Sequence, residues 1–392
     1  MTKTQQPPFA IDAEGLIRFT QDLVRCQSWN PPGDEAAAAA LVAEQLHSFG
    51  IDARVQPITP TRHNVYGRAP GRGTGPGHLM LVGHLDTVPP GQQPWEHGAL
   101  SGDIAEGRIH GRGASDLKGG LAAAIFAAGA LVRSGFVPSS DLIIVGTAGE
   151  EVDCLGARTL VSDGLLDGVG AIGVPEPTGL DLYIAHKGAL WARIVTQGRA
   201  AHGARPDLGV NAILHMKETI GRVMAADWSA PTHPLLGRPT VNIGTIRGGT
   251  KTNMVPDRCE LTIDFRTLPV QVHADLEARL RRILGDLAAE NPEYDATLEI
   301  VNDRAAVSAP GDALFVQTAL RVGESLWGER LQPKGVSYYT DASVLAPASG
   351  APAIILGPGE ANLAHQTNEW VSVQKLVQAA RFYVELARKW LA

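Results

Sequence analysis

Short apolar runs that end on acids or histidines are the sequence feature that most constrains how this chain folds. His78–Val82 leads into His84 and Asp86, and Leu142–Val145 leads into the pair Glu150–Glu151. We interpret such runs, bounded by turn residues, as buried strands. Because open α/β sheets hold their ligands beyond the carboxyl ends of the strands, these side chains are expected to meet at one edge of a sheet.

Helix-like and strand-like segments alternate along the chain. Before residue 186 and after residue 306 the order is that of a doubly wound α/β domain. Residues 188–304 are expected to run strand, helix, strand, strand, helix, strand, which is the ferredoxin-like split βαβ order. We therefore predict an α/β fold in two domains. A doubly wound catalytic domain comprises residues 1–187 and 305–392, and an inserted ferredoxin-like α+β domain comprises residues 188–304.

The individual elements are predicted from apolar periodicity and from helix and turn signals. Helices are expected over residues 12–27, 34–49, 119–133, 210–224, 271–289, 312–327 and 373–391. Strands are expected over residues 78–86, 141–147, 180–186, 190–197, 240–246, 259–267, 296–302 and 353–356.

Composition and charge disfavour several classes of partner. The formal net charge of −7 disfavours binding to nucleic acid or to an anionic membrane. The three cysteines are far apart and form no CxxC pair, which is typical of a reduced intracellular protein. Met1–Pro8 is polar and has no apolar signal core behind it, and the apolar run Leu121–Val132 is too short to span a membrane. We expect a cytoplasmic protein.

The distribution of acids and histidines predicts a metal centre. Seven of them stand in five separate short segments: His84, Asp86, Asp116, Glu150, Glu151, Glu176 and His365. Imidazole and carboxylate groups are the ligands of zinc and similar divalent ions. Taken alone, Asp116 precedes a helix and could be its N-cap, and two adjacent glutamates are usually solvated charges. Together the residues are a set that a binuclear metal hydrolase would need.

Spacing assigns some of the roles. His84 and Asp86 are two residues apart at a strand end, so their side chains point to one face. We expect His84 to bind a metal and Asp86 to accept the other ring N–H, which fixes the tautomer. Glu150 and Glu151 are adjacent, so in an extended segment one can bind a metal while the other faces a water.

Four motifs, all in one order, carry a resemblance to a known family. They are G-H-L-D-T-V-P, G-R-G-A-S-D-L-K-G-G, A-G-E-E and G-P-G-x-x-x-x-A-H-Q-x-N-E, within the span from about Leu81 to Val371. The chain resembles the co-catalytic dimetal (di-zinc) peptidases and deacylases, the family of acetylornithine deacetylase, succinyl-diaminopimelate desuccinylase, aminoacylase and glutamate carboxypeptidase. Where that family usually carries Pro-Phe, this chain has Ala99-Leu100, which concerns substrate contacts and not the metal site.

The resemblance implies two divalent metal ions, most simply Zn²⁺, which Co²⁺ can replace. It assigns the metal ligands as follows: the first ion takes His84, Asp116 and Glu176, and the second takes Asp116, Glu151 and His365. It makes Glu150 the general base, which suits a carboxylate beside a metal-activated water. It also implies a cis peptide between Asp116 and Leu117.

The resemblance further implies roles for the inserted domain as a lid and as the dimerisation domain of a homodimer. His202 would reach into the partner subunit's site and stabilise the tetrahedral oxyanion. Asn253 and Arg266 would bind the substrate, since a guanidinium can hold an α-carboxylate through two hydrogen bonds. The alternatives are a surface histidine at position 202 and a structural ion pair between Arg266 and Asp264.

The expected function is hydrolysis of the amide bond of an N-acyl amino acid, a small substrate with a carboxylate. A metal-bound hydroxide would attack the carbonyl, with Glu150 as general base. A metallocarboxypeptidase or dipeptidase that releases a C-terminal amino acid is the alternative within the same chemistry. A non-catalytic relative that binds metal or ligand would be expected to lack Glu150. A nucleotide-dependent oxidoreductase is disfavoured, because the glycine-rich loop Gly71–Gly77 precedes its strand instead of following it.

Overall fold

The chain forms two compact units in the computed structural model, which describes residues 9–392. Unit 1 runs to Ala185 and resumes over Ser308–Gly335 and Thr340–Ala392. Unit 2 consists of His186–Val307 together with the short segment Val336–Tyr339, which no sequence pattern singled out. The expectation for Met1–Pro8 lies outside the described residues.

The helices of the described residues are α1 (Ala13–Arg25), α2 (Ala36–Ser48), α3 (Gly119–Arg133), α4 (Leu155–Ser162), α5 (Ala212–Ala225), α6 (His273–Glu290), α7 (Leu314–Trp327), α8 (Ala342–Ser349) and α9 (Val373–Trp390). The strands are β1 (Asp52–Pro57), β2 (His63–Ala69), β3 (His78–His84), β4 (Ile104–Ala105), β5 (Arg108–His110), β6 (Leu142–Thr147), β7 (Val169–Val174), β8 (Tyr183–His186), β9 (Gly188–Gln197), β10 (Thr240–Gly248), β11 (Arg258–Thr267), β12 (Asp295–Arg304), β13 (Val307–Ser308), β14 (Lys334–Val336), β15 (Ala353–Ile355) and β16 (Trp370–Ser372).

The large sheet confirms the predicted α/β class and shows that the sheet is mixed. Its strand order is β1-β2-β6-β3-β7-β15-β8-β13, with β14 also paired to β8. The four strands β6, β3, β7 and β15 are parallel to one another, whereas β2 joins β6 and β8 joins β15 in antiparallel fashion. Strands β3 and β6 are buried almost throughout, as expected for strands covered on both faces. The parallel centre therefore brings several strand ends to one edge.

Helix α3 follows the irregular segment Ala114–Lys118 and is buried over nearly its whole length. Segment and helix together, Ala114–Arg133, are long and apolar enough to cross a membrane, but nearly all of this stretch is buried inside the fold. Gly120 permits close approach, since a Cβ there would lie 2.0 Å from the carbonyl oxygen of Pro175. This contact brings the start of α3 against the segment that follows β7.

Unit 2 contains a four-stranded antiparallel sheet in the order β10-β11-β9-β12. Its elements follow the order strand, helix, strand, strand, helix, strand, with α5 after β9 and α6 after β11. Every second residue of β9 and β11, such as Leu190 and Ile263, is buried in a core with Met216 of α5 and Leu280 of α6. The sheet thus packs both helices on one face.

His186, the last residue of β8, should make the stability of unit 2 depend on pH. Its ring is fully buried, and its Nδ1–H donates to the carbonyl oxygen of Lys187 at 2.9 Å. Burial lowers the pKa of His186 to about 4. The neutral ring therefore stabilises the fold fully above the ordinary value of about 6.5, and this contribution is lost as the pH falls towards 4. The loss amounts to about 3 kcal/mol.

Replacing His186 by Asn keeps a donor for the Lys187 carbonyl but removes the titrating group. Chemical unfolding followed at a series of pH values should show a shallower acid loss in His186→Asn than in the unchanged protein. Identical slopes between pH 7 and 4 in the two proteins would contradict the assignment.

Candidate metal centre

Three of the predicted site segments follow neighbouring parallel strands of the large sheet. His84 is the last residue of β3, Glu150 and Glu151 come shortly after β6, and Glu176 is two residues beyond β7. Strand β3 pairs with β6 on one side and with β7 on the other. The strand ends therefore place these side chains at the edge where open α/β sheets bind ligands.

Asp116 enters the same place from the segment before α3. Its backbone is not helical, with φ −121° and ψ 95°, and its side chain is buried. The backbone N–H groups of Ser115 and Asp116 both donate to Glu369 Oε1, at 2.8 and 2.9 Å. The Asp116–Leu117 peptide is cis, as expected from the resemblance. The carboxylate is thus presented by an irregular turn and not by a helical N-cap.

The two oxygens of Asp116 face two different histidines. Oδ1 is 3.2 Å from His84 Nε2, and Oδ2 is 3.5 Å from His365 Nε2. Glu176 Oε1 stands 4.0 Å from His84 Nε2, and Glu151 Oε2 stands 2.9 Å from His365 Nε2. The donors therefore form two sets that share Asp116, which is the arrangement of a bridged pair of ions.

Asp86 connects the two halves of this cluster. The nearest group to His84 Nδ1 is the backbone carbonyl of Asp86 at 2.8 Å, with the Asp86 carboxylate 3.5 Å away. A carbonyl only accepts, so in the neutral ring Nδ1 carries the proton and Nε2 keeps its lone pair. The Asp86 carboxylate instead accepts the side chain of Asn30 at 2.8 Å and the backbone N–H groups of Glu150 and Glu151 at 3.2 and 3.3 Å. Asp86 thereby fixes the backbone at Glu150 and Glu151 through its carboxylate and the ring of His84 through its backbone carbonyl.

The electrostatics of the cluster favour a bound cation. Burial and then the neighbouring charge of Asp116 raise the pKa of Glu176, and burial followed by the charges of Glu176 and Glu151 raises that of Glu150. Burial disfavours a charged His84, but its hydrogen bond with Asp116 and the nearby carboxylates raise its pKa well above the usual value. Buried carboxylates gathered in excess over cations repel one another unless further positive charge is supplied.

The unsatisfied atoms of the cluster agree with this reasoning. Among the described residues, Glu150 Oε1 and Glu151 Oε1 are buried and have no hydrogen-bond partner. Ligand atoms of His84, Asp116 and Glu151 all lie within 4.8 Å of one another. Nitrogen and carboxylate oxygen donors at such spacing suit zinc and related divalent ions. The residues present therefore fit the implied metals.

The structure places the remaining predicted residues in unit 2. His202 and Asn253 are neighbours in that unit. His202 forms an isolated antiparallel β-bridge with Met254, and the carbonyl oxygen of Asn253 accepts the N–H of Gly203 at 2.8 Å. Arg266 lies on β11, and its Nε donates to Asp264 at 3.1 Å. The structural ion pair considered as an alternative for Arg266 is therefore present, while the side chain stays partly exposed.

Four buried polar residues of unit 1 support the cluster: Asn30, Arg112, Asp341 and Glu369. The sequence suggested only that Asp341 helps to orient the substrate cleft, and it gave the other three no role. Asn30 donates to Asp86, and Asp341 accepts the hydroxyl of Thr147 at 2.5 Å. Glu369 is the last residue of the motif G-P-G-x-x-x-x-A-H-Q-x-N-E, which also contains the proposed ligand His365. Its position in that motif was the sequence signal that could have indicated a role for Glu369. The contacts that define these roles join residues far apart in sequence, which spacing does not reveal.

Comparison with known proteins identifies the family. The pattern of peptidase family M20/M25/M40 matches residues 80–389. The chain belongs to this family. Its members are metal-dependent hydrolases, and the expectation of a metal-dependent enzyme is confirmed at that level.

Relatives and solved structures agree with the assignment to family M20. The acetylornithine deacetylase of Myxococcus xanthus is 33% identical over 348 residues, covering 87% of this chain and 86% of that protein. The M20 family metallo-carboxypeptidase from Sulfolobus solfataricus shares the fold with a TM-score of 0.78 at 17% identity, covering 97% of this chain and 99% of that one. The aminopeptidase PepT from Bacillus cereus has a TM-score of 0.76 at 22% identity, with coverage of 97% and 99%.

Proposed function

We propose that this M20 protein hydrolyses the amide bond of an N-acyl amino acid at a binuclear metal site. The observation that carries the proposal is the position of Asp116, whose two oxygens face His84 and His365. The 33% identity to the acetylornithine deacetylase of Myxococcus xanthus over most of both chains supports an acyl amino acid as the substrate class.

His84, Asp116 and Glu176 would hold one ion and Asp116, Glu151 and His365 the other. When bound, two divalent ions polarise the substrate carbonyl and lower the pKa of water towards neutrality. Asp86 keeps His84 in the tautomer with a free Nε2, because its own backbone carbonyl accepts the Nδ1 proton. The chain thus supplies a preformed set of donors and needs no large rearrangement to bind metal.

Glu150 is the proposed general base. Its side chain is buried at the cluster, its Oε1 has no hydrogen-bond partner among residues 9–392, and its backbone N–H is held by Asp86. Burial, reinforced by Glu176 and Glu151, raises its pKa. A carboxylate with a raised pKa can take a proton from the attacking water and pass it to the leaving amine.

His202 is the proposed oxyanion donor, supplied across a homodimer by unit 2, for which we propose the roles of lid and dimerisation domain. Its Nδ1 accepts the backbone N–H of Ala204 at 3.0 Å. In the neutral ring the proton therefore sits on Nε2. The exposed side chain then offers an N–H donor, which is what a developing oxyanion requires.

Arg266 and Asn253 are the proposed substrate-binding residues. The contact with Asp264 uses Nε of Arg266, so the terminal nitrogens of the guanidinium remain to bind a carboxylate. Asp264 itself also accepts the indole N–H of Trp191 at 2.9 Å, which fixes the pair on its sheet. A small substrate with a free α-carboxylate suits this arrangement.

The substrate class is tested with protein stripped of metal and reloaded with Zn²⁺ or Co²⁺. A panel of N-acetyl and N-succinyl amino acids is assayed beside dipeptides for release of free amine. We expect turnover of N-acyl amino acids and a loss of turnover when the substrate carboxylate is converted to an amide. Selective cleavage of dipeptides would instead favour the peptidase alternative. No turnover of any amide by the metal-loaded protein would contradict the proposal.

Metal removal should abolish activity and lower thermal stability. Bound cations offset the repulsion among the buried carboxylates, and a ligand that binds only the folded state stabilises it. At free zinc one hundred times the Kd, the gain is about 2.7 kcal/mol per ion. In calorimetric melting experiments, Tm should rise as zinc is added and fall again when a chelator removes the zinc. A Tm that does not change with the zinc concentration would contradict a metal site in unit 1.

A further inference from the structure

A buried ion pair outside the proposed ligand set joins two of the metal-binding segments. Arg112 and Glu369 are 2% and 0% exposed, and Arg112 Nη1 donates to Glu369 Oε2 at 2.6 Å. Arg112 precedes the turn that presents Asp116, whereas Glu369 follows His365 on the last loop before β16. The pair therefore links parts of the chain that lie some 250 residues apart.

The Glu369 carboxylate holds the backbone of the bridging ligand. Its Oε1 accepts the N–H groups of Ser115 and Asp116 at 2.8 and 2.9 Å, which leaves Oε2 for the guanidinium. Hydrogen bonds that involve an ionised acceptor are stronger than neutral ones. The position of the Asp116 backbone is thus tied directly to the loop that carries His365.

Arg112 contacts the loop of His365 as well as Glu369. Its Nη2 donates to the backbone carbonyl of His365 at 3.3 Å, and its guanidinium lies 5.2 Å from the ring centre of Trp95. One planar side chain therefore contacts both Glu369 and His365, which a lysine could not do with the same geometry. His365 itself is the most exposed of the proposed ligands, with 52% of its side chain accessible.

We infer that Arg112 and Glu369 are positioning residues that fix the distance between Asp116 and His365 and thereby set the affinity for the second metal ion. The inference rests on the proposed binuclear function. Neither residue belongs to either proposed set of metal ligands. Removing such an outer partner typically weakens metal binding by about 10–100-fold.

The test compares metal binding by Glu369→Gln and Arg112→Lys with that of the unchanged protein. Titration calorimetry with Zn²⁺ and the visible spectrum with Co²⁺ give the two dissociation constants. Glu369→Gln should raise the dissociation constant of one ion by about 10–100-fold, while that of the other ion changes little. Activity measured at increasing metal should return in the variant, with kcat restored and KM unchanged. Arg112→Lys should act in the same direction with a smaller effect.

Asp141→Asn is a matched control. Asp141 is also a buried carboxylate that accepts a backbone N–H, from Gly71 at 2.8 Å, and pairs with an arginine, Arg68, away from the cluster. Its variant should lose thermal stability with both metal constants unchanged. If Glu369→Gln and Arg112→Lys both bound two ions with unchanged dissociation constants, the inference would be overturned but the proposed binuclear function would stand. Fewer than two ions in the unchanged protein would overturn the proposed binuclear function, and the inference with it.

Discussion

Glu150→Gln is expected to reduce turnover by at least about 10²–10⁴-fold while two metal ions remain bound. The range is that of a lost general base, and Glu150 is proposed to carry the proton in both directions. The substitution keeps the side chain's shape and leaves the backbone N–H of residue 150 on Asp86, so the loop should stay in place. Steady-state kinetics and metal analysis on the same sample make the measurement.

The neighbouring glutamate provides the matched comparison. Glu151 Oε2 lies 2.9 Å from His365 Nε2, so Glu151→Gln should lose one metal ion instead of losing only catalysis. If Glu150→Gln lost metal and Glu151→Gln kept both ions, the two roles would be exchanged. The turnover of Glu150→Asp should fall between that of Glu150→Gln and that of the unchanged protein, because a shortened carboxylate retains basicity at a displaced position.

His202→Ala is expected to lower turnover by about 10²–10³-fold, the usual effect of removing one oxyanion donor. The metals should stay bound, because the donors of the cluster belong to unit 1. His233→Ala is a suitable control, since Nδ1 of His233 also accepts the N–H two residues further on, from Leu235 at 3.2 Å. That variant should keep its activity.

Mixing inactive variants tests whether His202 acts on the partner subunit. A dimer of one Glu150→Ala chain and one His202→Ala chain would contain one complete site if each site takes its histidine from the other chain. Subunit exchange should then restore part of the activity, up to one site per mixed dimer. Demonstrated exchange without recovery would place His202 in its own chain's site or outside catalysis. A fully active monomer would contradict the dimeric mechanism altogether.

Seven of the nine helices of the described residues and the buried central strands β3 and β6 were predictable because their apolar patterns are strong, whereas α4 and α8 were missed. Helix α3 was predicted with its observed ends, and β3 and β6 were predicted to within a residue or two. Strand β1 was missed because it is a largely exposed edge strand, which lacks an apolar run. Strand β2 was missed although most of it is buried, because polar residues and a glycine interrupt its apolar residues. Strand β7 was missed because glycines interrupt its sequence. Helix α8 was missed because Pro347 lies within it.

The candidate ligands were predictable because each stands in a recognisable motif, but their connections were not. The sequence suggested the Asp86 carboxylate as the partner of His84, whereas the backbone carbonyl of Asp86 is closer to Nδ1. Likewise, nothing local to Glu369 indicates that its carboxylate reaches the N–H groups of Ser115 and Asp116. Such contacts depend on how distant segments pack, and a single sequence carries no record of that packing.

The position of β15 in the large sheet has a consequence for how the protein is made. This strand lies between β7 and β8, although it is synthesised after the whole of unit 2's four-stranded sheet. A chain growing from its N-terminus can therefore complete the sheet of unit 2 while the large sheet still has a gap. His365 emerges later still, so a nascent chain contains every donor of the proposed first set while the second set still lacks its histidine. The proposed second ion could then meet its full set of donors only after His365 has been synthesised.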